Sequence, residues 1–351
     1  MILLSLGGLR PAGAVDVAVS VHAAPELNGL FRTTNGWIGG DAAYSLTLRP
    51  DTTLWLFGDS IIGEVRAGQR VNATMIHNAV ALQRRGQAPD FFHGTNAAGK
   101  AEALFQPADG AGYLWPLAGV RERWALQLFM SRVHATKPDS VWGFDVSGIS
   151  LVTVTNPDDP PPQWKTRAVD LPFSDGASTV QRQFGWAALN YGDFTYIYGS
   201  VNRAGKRVAT VIARAPLGKL GQLSTWRFLA VDEWQPDFRR GTPICEEAPP
   251  EGSVSWQPAL KKFVMIYMND LSPRINLRTA ATPSGPWSAP QTIYQCAETT
   301  SSVFCYAGKA HPELSGPREL VLTYADNSTN FSDLFKTDAL YWPKFVTCIF
   351  P

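Results

Sequence analysis

The stretch that decides the fold covers residues 39–60 and reads GGDAAYSLTLRPDTTLWLFGDS. Residues 42–48 and 53–57 are rich in aromatic and aliphatic side chains, and the Pro-Asp-Thr between them is typical of a turn. The pattern predicts two antiparallel β-strands joined by a tight hairpin centred near Pro50. Asp41 and Asp59 are equidistant from Pro50, so they are expected at the same end of this hairpin.

The two aspartates are the candidate catalytic residues. Two carboxyl groups held at one end of a rigid sheet are what general acid–base catalysis requires. Each follows a glycine, Gly40 or Gly58, which leaves room for a ligand near the backbone. The alternative is that each aspartate only forms a turn. Direct opposition would place the Cβ atoms about 5 Å apart, which suits a shared proton or a metal better than a sugar between two acids.

Composition narrows the class of protein. The chain has 351 residues, of which 45% are hydrophobic and 17% charged, with a net charge of +1. It lacks a basic stripe and a run of apolar residues long enough to span a bilayer, so neither nucleic acid nor membrane is expected as a partner. The 12 Trp, 10 Tyr and 18 Phe, with 30 Gly and 26 Pro, indicate an all-β protein. Aromatic rings also suit carbohydrate, because sugar C–H faces stack on them.

Short β-like runs separated by turns recur through the rest of the chain. They group into five sets, each with a strong aromatic or aliphatic strand and a closing Trp-containing segment, as in residues 217–226 and 281–287. Repetition roughly every 50 to 70 residues is typical of propeller blades of about four strands. We therefore predict an all-β, five-bladed β-propeller as a single domain over residues 21–351. A pair of β-sandwiches is the alternative.

The termini and the cysteines bear on location. Residues 1–20 are interpreted as a possible signal remnant or a disordered N-terminus, because an apolar start precedes small residues at 11–15. A secreted, extracellular protein is therefore expected. Two disulfides are predicted, with three possible connectivities and free thiols as the alternative, among Cys245, Cys296, Cys305 and Cys348. Their spacing fits no metal motif, so neither a metal nor a cofactor is expected.

A propeller would bring residues that are distant in sequence to one central channel. The predicted substrate-binding residues are Trp37, His77, Asn78, Trp115, Trp186, Ser253, Trp256, Lys309 and His311. Core packing is the alternative for each tryptophan and for His77, and a turn packed by Pro312 is the alternative for His311. An acidic loop, residues 246–251, either supplies a third acid or is merely solvated.

Several motifs resemble one known family. They are Gly39-Gly40-Asp41-Ala42-Ala43-Tyr44-Ser45, Leu54-Trp55-Leu56-Phe57-Gly58-Asp59-Ser60, His77-Asn78, Gly285-Pro286-Trp287-Ser288, Ala307-Gly308-Lys309-Ala310-His311-Pro312 and Tyr341-Trp342-Pro343-Lys344-Phe345. From about residue 36 to residue 345 the chain resembles the endo-D-arabinanases, family 183 of the glycoside hydrolases, a propeller domain long catalogued as of unknown function. The resemblance implies five blades and cleavage of internal α-D-arabinofuranosyl links in arabinogalactan and lipoarabinomannan.

The resemblance also implies that Asp41 and Asp59 are the catalytic pair. Glycoside hydrolysis needs one protonated and one ionised carboxyl group. We assign the base or nucleophile to Asp41 and the acid to Asp59, with the exchanged roles left open. Residues 114–119 keep the Trp-Pro of the family's Trp-Pro-Gly-Asp-like stretch but lack its acid, which predicts altered subsites or reduced activity. A monomer acting on a polysaccharide is expected. The alternatives are a glycosidase for another glycan and a non-catalytic carbohydrate-binding propeller.

Overall fold

The computed structural model describes residues 17–137, 141–173, 180–204, 206–269 and 271–351. Most of the predicted signal remnant therefore lies outside the described residues. The described residues contain two short α-helices, α1 (Pro25–Phe31) and α2 (Asp333–Lys336), and single 3-10 turns at Pro161–Gln163, Leu223–Thr225, Phe238–Arg240 and Pro312–Leu314. No helix among them is long and apolar enough to cross a membrane.

Extended strands make up most of the structure. In chain order they are β1 (Ser20–Ala23), β2 (Asn35–Gly40), β3 (Tyr44–Arg49), β4 (Thr52–Phe57), β5 (Ser60–Arg66), β6 (Gln69–Ile76), β7 (Ala79–Arg84), β8 (Asp90–Phe92), β9 (Gly94–Thr95), β10 (Ala101–Glu102), β11 (Tyr113–Arg121), β12 (Leu126–Ala135), β13 (Phe144–Val154), β14 (Thr166–Asp170), β15 (Val180–Tyr191), β16 (Phe194–Arg203), β17 (Ala209–Pro216), β18 (Arg227–Ala230), β19 (Glu233–Gln235), β20 (Cys245–Glu246), β21 (Gly252–Gln257), β22 (Lys262–Tyr267), β23 (Arg274–Ala280), β24 (Gln291–Gln295), β25 (Val303–His311), β26 (Glu319–Ser328) and β27 (Pro343–Ile349). The prediction of an all-β protein is confirmed.

Five antiparallel sheets follow one another along the chain. Sheet 1 has the order β3-β4-β7-β8, sheet 2 β11-β12-β13-β14, sheet 3 β15-β16-β17-β18-β19, and sheet 4 β21-β22-β23-β24. Sheet 5 has the order β25-β26-β27-β1, so the first strand of the described chain pairs with the last. The strand β20 adds to β17, and two smaller sheets, β2-β5-β6 and β9-β10, extend the connections around sheet 1.

The first strands of the five sheets contact one another in sequence. β3 contacts β11, β11 contacts β15, β15 contacts β21, β21 contacts β25, and β25 contacts β3 again. Connections at the starts of these strands therefore converge, although they are far apart in the sequence. This convergence positions the candidate site.

The predicted hairpin is confirmed. β3 pairs with β4 in the register Tyr44↔Leu56 and Ser45↔Trp55, with an irregularity between Thr47 and Arg49. All six residues of β4 are buried, since the strand lies between β3 and β7 and both of its faces are covered. Asp41 and Asp59 lie just beyond these paired residues, at the same end of the hairpin.

The cores lie between the sheets, and the cysteines contribute to them as thiols. Apolar side chains of sheets 1, 2 and 3 form one cluster, and Trp37, Trp55 and Phe57 join Phe345 of sheet 5 in another. The predicted disulfides are not formed. All four cysteines are free, with Cys296, Cys305 and Cys348 buried among the apolar side chains of sheets 4 and 5.

Candidate active site

Asp41 and Asp59 lie side by side at one end of the β3–β4 hairpin. The Asp41 N–H donates to the Asp59 carbonyl at 3.2 Å, and the Gly58 N–H donates to the Asp41 carbonyl at 3.2 Å. The backbone then enters the left-handed region at Ala42 (φ 60°) and Ala43 (φ 51°). Non-glycine residues seldom adopt this region, and strain of this kind persists where the surrounding structure enforces it.

Asp41 is held by two tyrosines. Its Oδ2 accepts hydrogen bonds from the hydroxyls of Tyr306 at 2.6 Å and Tyr341 at 2.9 Å. Its Oδ1 lies against Gly58, where any Cβ would collide with it. Desolvation raises the pKa of Asp41 to about 8, and the negative charge of Asp59 adds to the rise. Asp41 is therefore a carboxyl group that holds its proton at neutral pH.

Asp59 has different partners. Its Oδ1 accepts hydrogen bonds from His77 Nδ1 at 2.9 Å and from Trp115 Nε1 at 2.7 Å. The His77 ring stacks on Tyr113 with a centroid distance of 3.7 Å, which fixes the imidazole in place. A carboxylate accepts both hydrogen bonds, so the site pairs a protonated acid with a group suited to carry negative charge.

A third carboxyl group, Glu251, lies near this pair. Glu251 Oε2 is 3.0 Å from Lys309 Nζ, and the Lys309 side chain is almost completely buried. The same ammonium group donates to the carbonyl of Ala307 at 2.6 Å and to the carbonyl of Ala42. Burial lowers the pKa of Lys309. Lys309 therefore supports the backbone behind Asp41 and joins it to Glu251, rather than facing a substrate as predicted.

The acids open into a cavity of about 670 Å³. Rings from several sheets line it, including Tyr113, Trp115, Trp142, Phe144, Trp186, Phe304, Tyr306 and Tyr341. Glu251 and His77 also reach it. Trp186 lines the cavity but is only 3% exposed, and its buried indole N–H has no hydrogen-bond partner among the described residues. Concave, mostly apolar cavities with a few convergent polar groups are typical small-molecule sites.

Three of the predicted substrate-binding residues do not line this cavity, because their side chains pack or form hydrogen bonds in other parts of the structure. Trp37 is buried and stacks on Phe91 at 4.2 Å. Asn78 is buried, and its amide group donates to backbone carbonyls at 2.9 Å, as a structural bridge would. Trp256 lies near the far end of β21 and packs on Phe263 at 5.0 Å.

Ser253 and His311 also lie away from the acids. Ser253 lines a second cavity of about 540 Å³, farther along the first strands, and accepts a hydrogen bond from Ala310 N at 2.7 Å. His311 is fully buried between Ser45 Oγ at 2.5 Å and Thr323 Oγ1 at 2.7 Å. Burial lowers the pKa of His311 well below its usual value, so the ring is neutral. These contacts make His311 a satisfied core histidine.

Sequence reasoning missed the tyrosines that bind Asp41. Tyr341 stands in one of the motifs that carried the family resemblance, but Tyr306 stands in none of them. Among the described residues, no group of three or more His, Cys, Asp or Glu side chains is arranged to hold a metal ion.

The chain is similar to several solved structures, and a TM-score of 0.76 to one of them shows a shared fold. A Bacteroides ovatus protein described as a "putative hydrolase" matches with a TM-score of 0.76 at 20% identity, covering 94% of this chain and 90% of that chain. The catalytic domain of the Coprinopsis cinerea GH62 α-L-arabinofuranosidase matches with a TM-score of 0.49 at 9% identity, covering 90% and 97%. Zg3597, a family 117 glycoside hydrolase of Zobellia galactanivorans, matches with a TM-score of 0.49 at 12% identity, covering 95% and 90%.

No curated protein matches the sequence. One family does, over residues 25–349, which takes in all five sheets except the outermost strand of sheet 5. Its description is a domain of unknown function, DUF5005. The match covers most of the chain, and the chain therefore belongs to the DUF5005 family.

Proposed function

We propose that this chain is a glycoside hydrolase that cleaves internal α-D-arabinofuranosyl links of an arabinan-type polysaccharide. The observation that carries the proposal is the pair of carboxyl groups, Asp41 and Asp59, adjacent on one hairpin and open to an aromatic cavity. Their environments differ: one lies against two tyrosines with a pKa of about 8, and the other accepts from an imidazole and an indole. Two carboxyl groups in unequal protonation states are the requirement of glycoside hydrolysis.

The protonation favours the exchange of the roles assigned from sequence. Asp41, protonated at neutral pH, is the general acid that gives its proton to the glycosidic oxygen as the bond to the leaving group breaks. Its Oδ2 already accepts from two hydroxyls, so Oδ1 is the oxygen that carries the proton. Asp59 either takes a proton, as a base, from the water that attacks the anomeric carbon, or attacks that carbon itself as a nucleophile and forms an intermediate that water then hydrolyses. His77 and Trp115 stabilise its charge.

The cavity supports a sugar substrate. Trp115 offers an aromatic face, and His77, whose side chain is 41% exposed, offers a polar contact to hydroxyl groups. The ring of contacts among the five first strands supports a five-bladed propeller as the scaffold. A polysaccharide of this kind lies outside the cytoplasm, so the proposal includes secretion of the chain. The proposal also includes action as a monomer.

A glycosidase for another glycan is the second candidate. Leu117 lines the cavity in the stretch where the resembling family carries its Trp-Pro-Gly-Asp-like motif. An isobutyl group and no acid at this wall would change which sugar fits. Specificity for D-arabinofuranosyl units is therefore the part of the proposal that depends most on the resemblance.

The test is glycan cleavage by the purified chain. Arabinogalactan, D-arabinan and plant L-arabinan are each incubated with the wild type, Asp41→Asn and Asp59→Asn, and released oligosaccharides are measured. Release from D-arabinan that both substitutions abolish supports the proposal. Release only from plant arabinan selects the second candidate, and release that persists in both variants refutes the assigned site.

A further inference from the structure

Two aromatic rings from different sheets meet beside the acids. Trp142 lies in the connection between β12 and β13 of sheet 2, and Phe304 lies on β25 of sheet 5. Their ring centroids are 5.2 Å apart. The first strands of sheets 2 and 5 both contact β3 of sheet 1, whose hairpin carries the two aspartates. The Trp142–Phe304 contact therefore joins the two neighbours of sheet 1 across the cavity that holds Asp41 and Asp59.

Each end of this contact leads back to one acid. Phe304 packs on Tyr306 at 5.5 Å, and Tyr306 donates to Asp41. On the other side, Phe144 packs on Trp115 at 4.7 Å, and Trp115 donates to Asp59. Trp142 and Phe144 are separated by Gly143 in the chain, and we call the set Trp115, Phe144, Trp142, Phe304 and Tyr306 the aromatic arch.

The base of the arch on sheet 2 is tied together. The N–H groups of Thr136 and Lys137 donate to the Gly143 carbonyl at 2.7 and 3.1 Å. A side chain at Gly143 would collide with the Lys137 carbonyl, so glycine permits this close approach. Trp142 is 52% exposed, whereas Phe304 is 7% exposed. One surface of the indole thus packs inside the cavity mouth and the other faces solvent.

We propose that the Trp142–Phe304 contact is a specificity determinant that selects glycans by length. This inference rests on the proposed function. A short oligosaccharide ends within the cavity and reaches the acids without parting the two rings. An internal segment of a polymer continues beyond the cavity on both sides, so the arch obstructs its path. Cleavage of polymer therefore requires the two rings to separate, and cleavage of short glycans does not.

The test compares kcat/KM for polymeric D-arabinan with kcat/KM for an arabinofuranosyl tetrasaccharide. In Trp142→Ala the polymer-to-tetrasaccharide ratio is expected to rise about two- to tenfold, the factor that corresponds to one aromatic pair contact. Trp142→Phe keeps a ring against Phe304 and should stay near the wild-type ratio. Trp124→Ala is the matched control, since Trp124 is 75% exposed in the connection at the other end of β12.

The outcomes separate the two proposals. A ratio that is unchanged in Trp142→Ala, or equal losses on both substrates, overturns the length selection, and equal losses would make Trp142 an ordinary sugar contact. If the wild type cleaves the tetrasaccharide but the polymer-to-tetrasaccharide ratio does not change in Trp142→Ala, the proposed glycosidase activity is supported and the length selection is refuted. A wild type that cleaves neither substrate refutes the proposed function and the arch together.

Discussion

A carboxyl group lies near each of two cavities, Asp41 in the connection before β3 and Glu313 in the 3-10 turn after β25, and the two groups have different surroundings. At one cavity, burial and the charge of Asp59 raise the pKa of Asp41 to about 8. At the other, burial raises the pKa of Glu313 to about 7. Desolvation is the largest cause in both cases. A shifted pKa therefore does not by itself distinguish the proposed catalytic end from the other end.

The neighbours make the distinction. Asp41 lies beside a second carboxyl group and an aromatic cavity. Glu313 binds the hydroxyl of Ser45 beside the neutral ring of His311, and short side chains such as Ser253 and Ser255 line its cavity. Perturbed groups also occur in structural networks. The Asp41 end differs because two carboxyl groups, Asp41 and Asp59, lie together there, beside aromatic rings that can pack on a sugar.

The largest expected effect is on catalysis. Asp41→Asn and Asp59→Asn should each lower kcat on the cleaved glycan by about 10²- to 10⁴-fold, the usual contribution of general acid–base catalysis. Glu313→Gln, which removes the comparable carboxyl group at the other cavity, should leave kcat within about twofold, as substitutions outside the site usually do. Reducing-end release measures all three. If kcat fell as much in Glu313→Gln as in Asp41→Asn, the two carboxyl groups could not be assigned different roles.

The dependence of rate on pH tests the role given to Asp41. As the general acid it acts only while protonated, so kcat should fall above about pH 8, by tenfold for each further pH unit. If Asp41 were the base, activity would instead rise through the same range. Initial rates between pH 5 and pH 10 on one soluble substrate distinguish the two, with the circular dichroism of each sample as the control for unfolding.

The hydrogen bond from Trp115 to Asp59 should matter less than either acid. Trp115→Phe keeps an aromatic ring but removes the N–H that donates to Asp59 Oδ1 at 2.7 Å. Hydrogen bonds to charged groups contribute about 1.5–3 kcal/mol, so kcat/KM should fall by about 10- to 150-fold. Trp124→Phe, at the opposite end of sheet 2, makes the same chemical change away from the cavity and should have no effect. Equal rates in the two variants would remove Trp115 from the mechanism.

The part of the site that sequence predicted is the part fixed by one hairpin. Asp41 and Asp59 are equidistant from one turn, so the hairpin brings them to the same end, where the Asp41 N–H donates to the Asp59 carbonyl. The same geometry places Trp256 away from the acids, because it lies four residues beyond the start of β21. At about 3.3 Å per residue, that separation moves a side chain some 13 Å from the strand opening.

Contacts between sheets were beyond sequence reasoning. Tyr306 and Tyr341 reach Asp41 from 265 and 300 positions away. Only the packing of sheet 5 against sheet 1 creates those hydrogen bonds, and no local pattern encodes it. His311 illustrates the problem of strand boundaries. His311 was predicted to bind substrate, but it is the last residue of β25, which begins at Val303. The side chains that face the acids come from earlier in that strand.

The smallest expected effect is on the free energy of unfolding, whose dependence on pH should differ between Asp41 and Glu313. The pKa of Asp41 is raised on folding from 3.8 to about 8, and that of Glu313 from 4.5 to about 7. A carboxyl group with a raised folded pKa keeps a proton that the unfolded chain has lost. It therefore lowers the free energy of unfolding progressively as pH rises between the two pKa values.

Neutral amides remove this penalty. Asp41→Asn should raise the free energy of unfolding relative to wild type by at least about 1 kcal/mol at pH 8, the equivalent of one pKa unit, and by much less at pH 4. Glu313→Gln should show the same sign, but its gain should level off near pH 7 rather than near pH 8. Urea unfolding of both variants and the wild type at pH 4, 6, 7 and 8 measures the difference. A gain for Asp41→Asn that does not grow between pH 4 and pH 8 would mean that Asp41 is ionised at neutral pH, and the acid role would then pass back to Asp59.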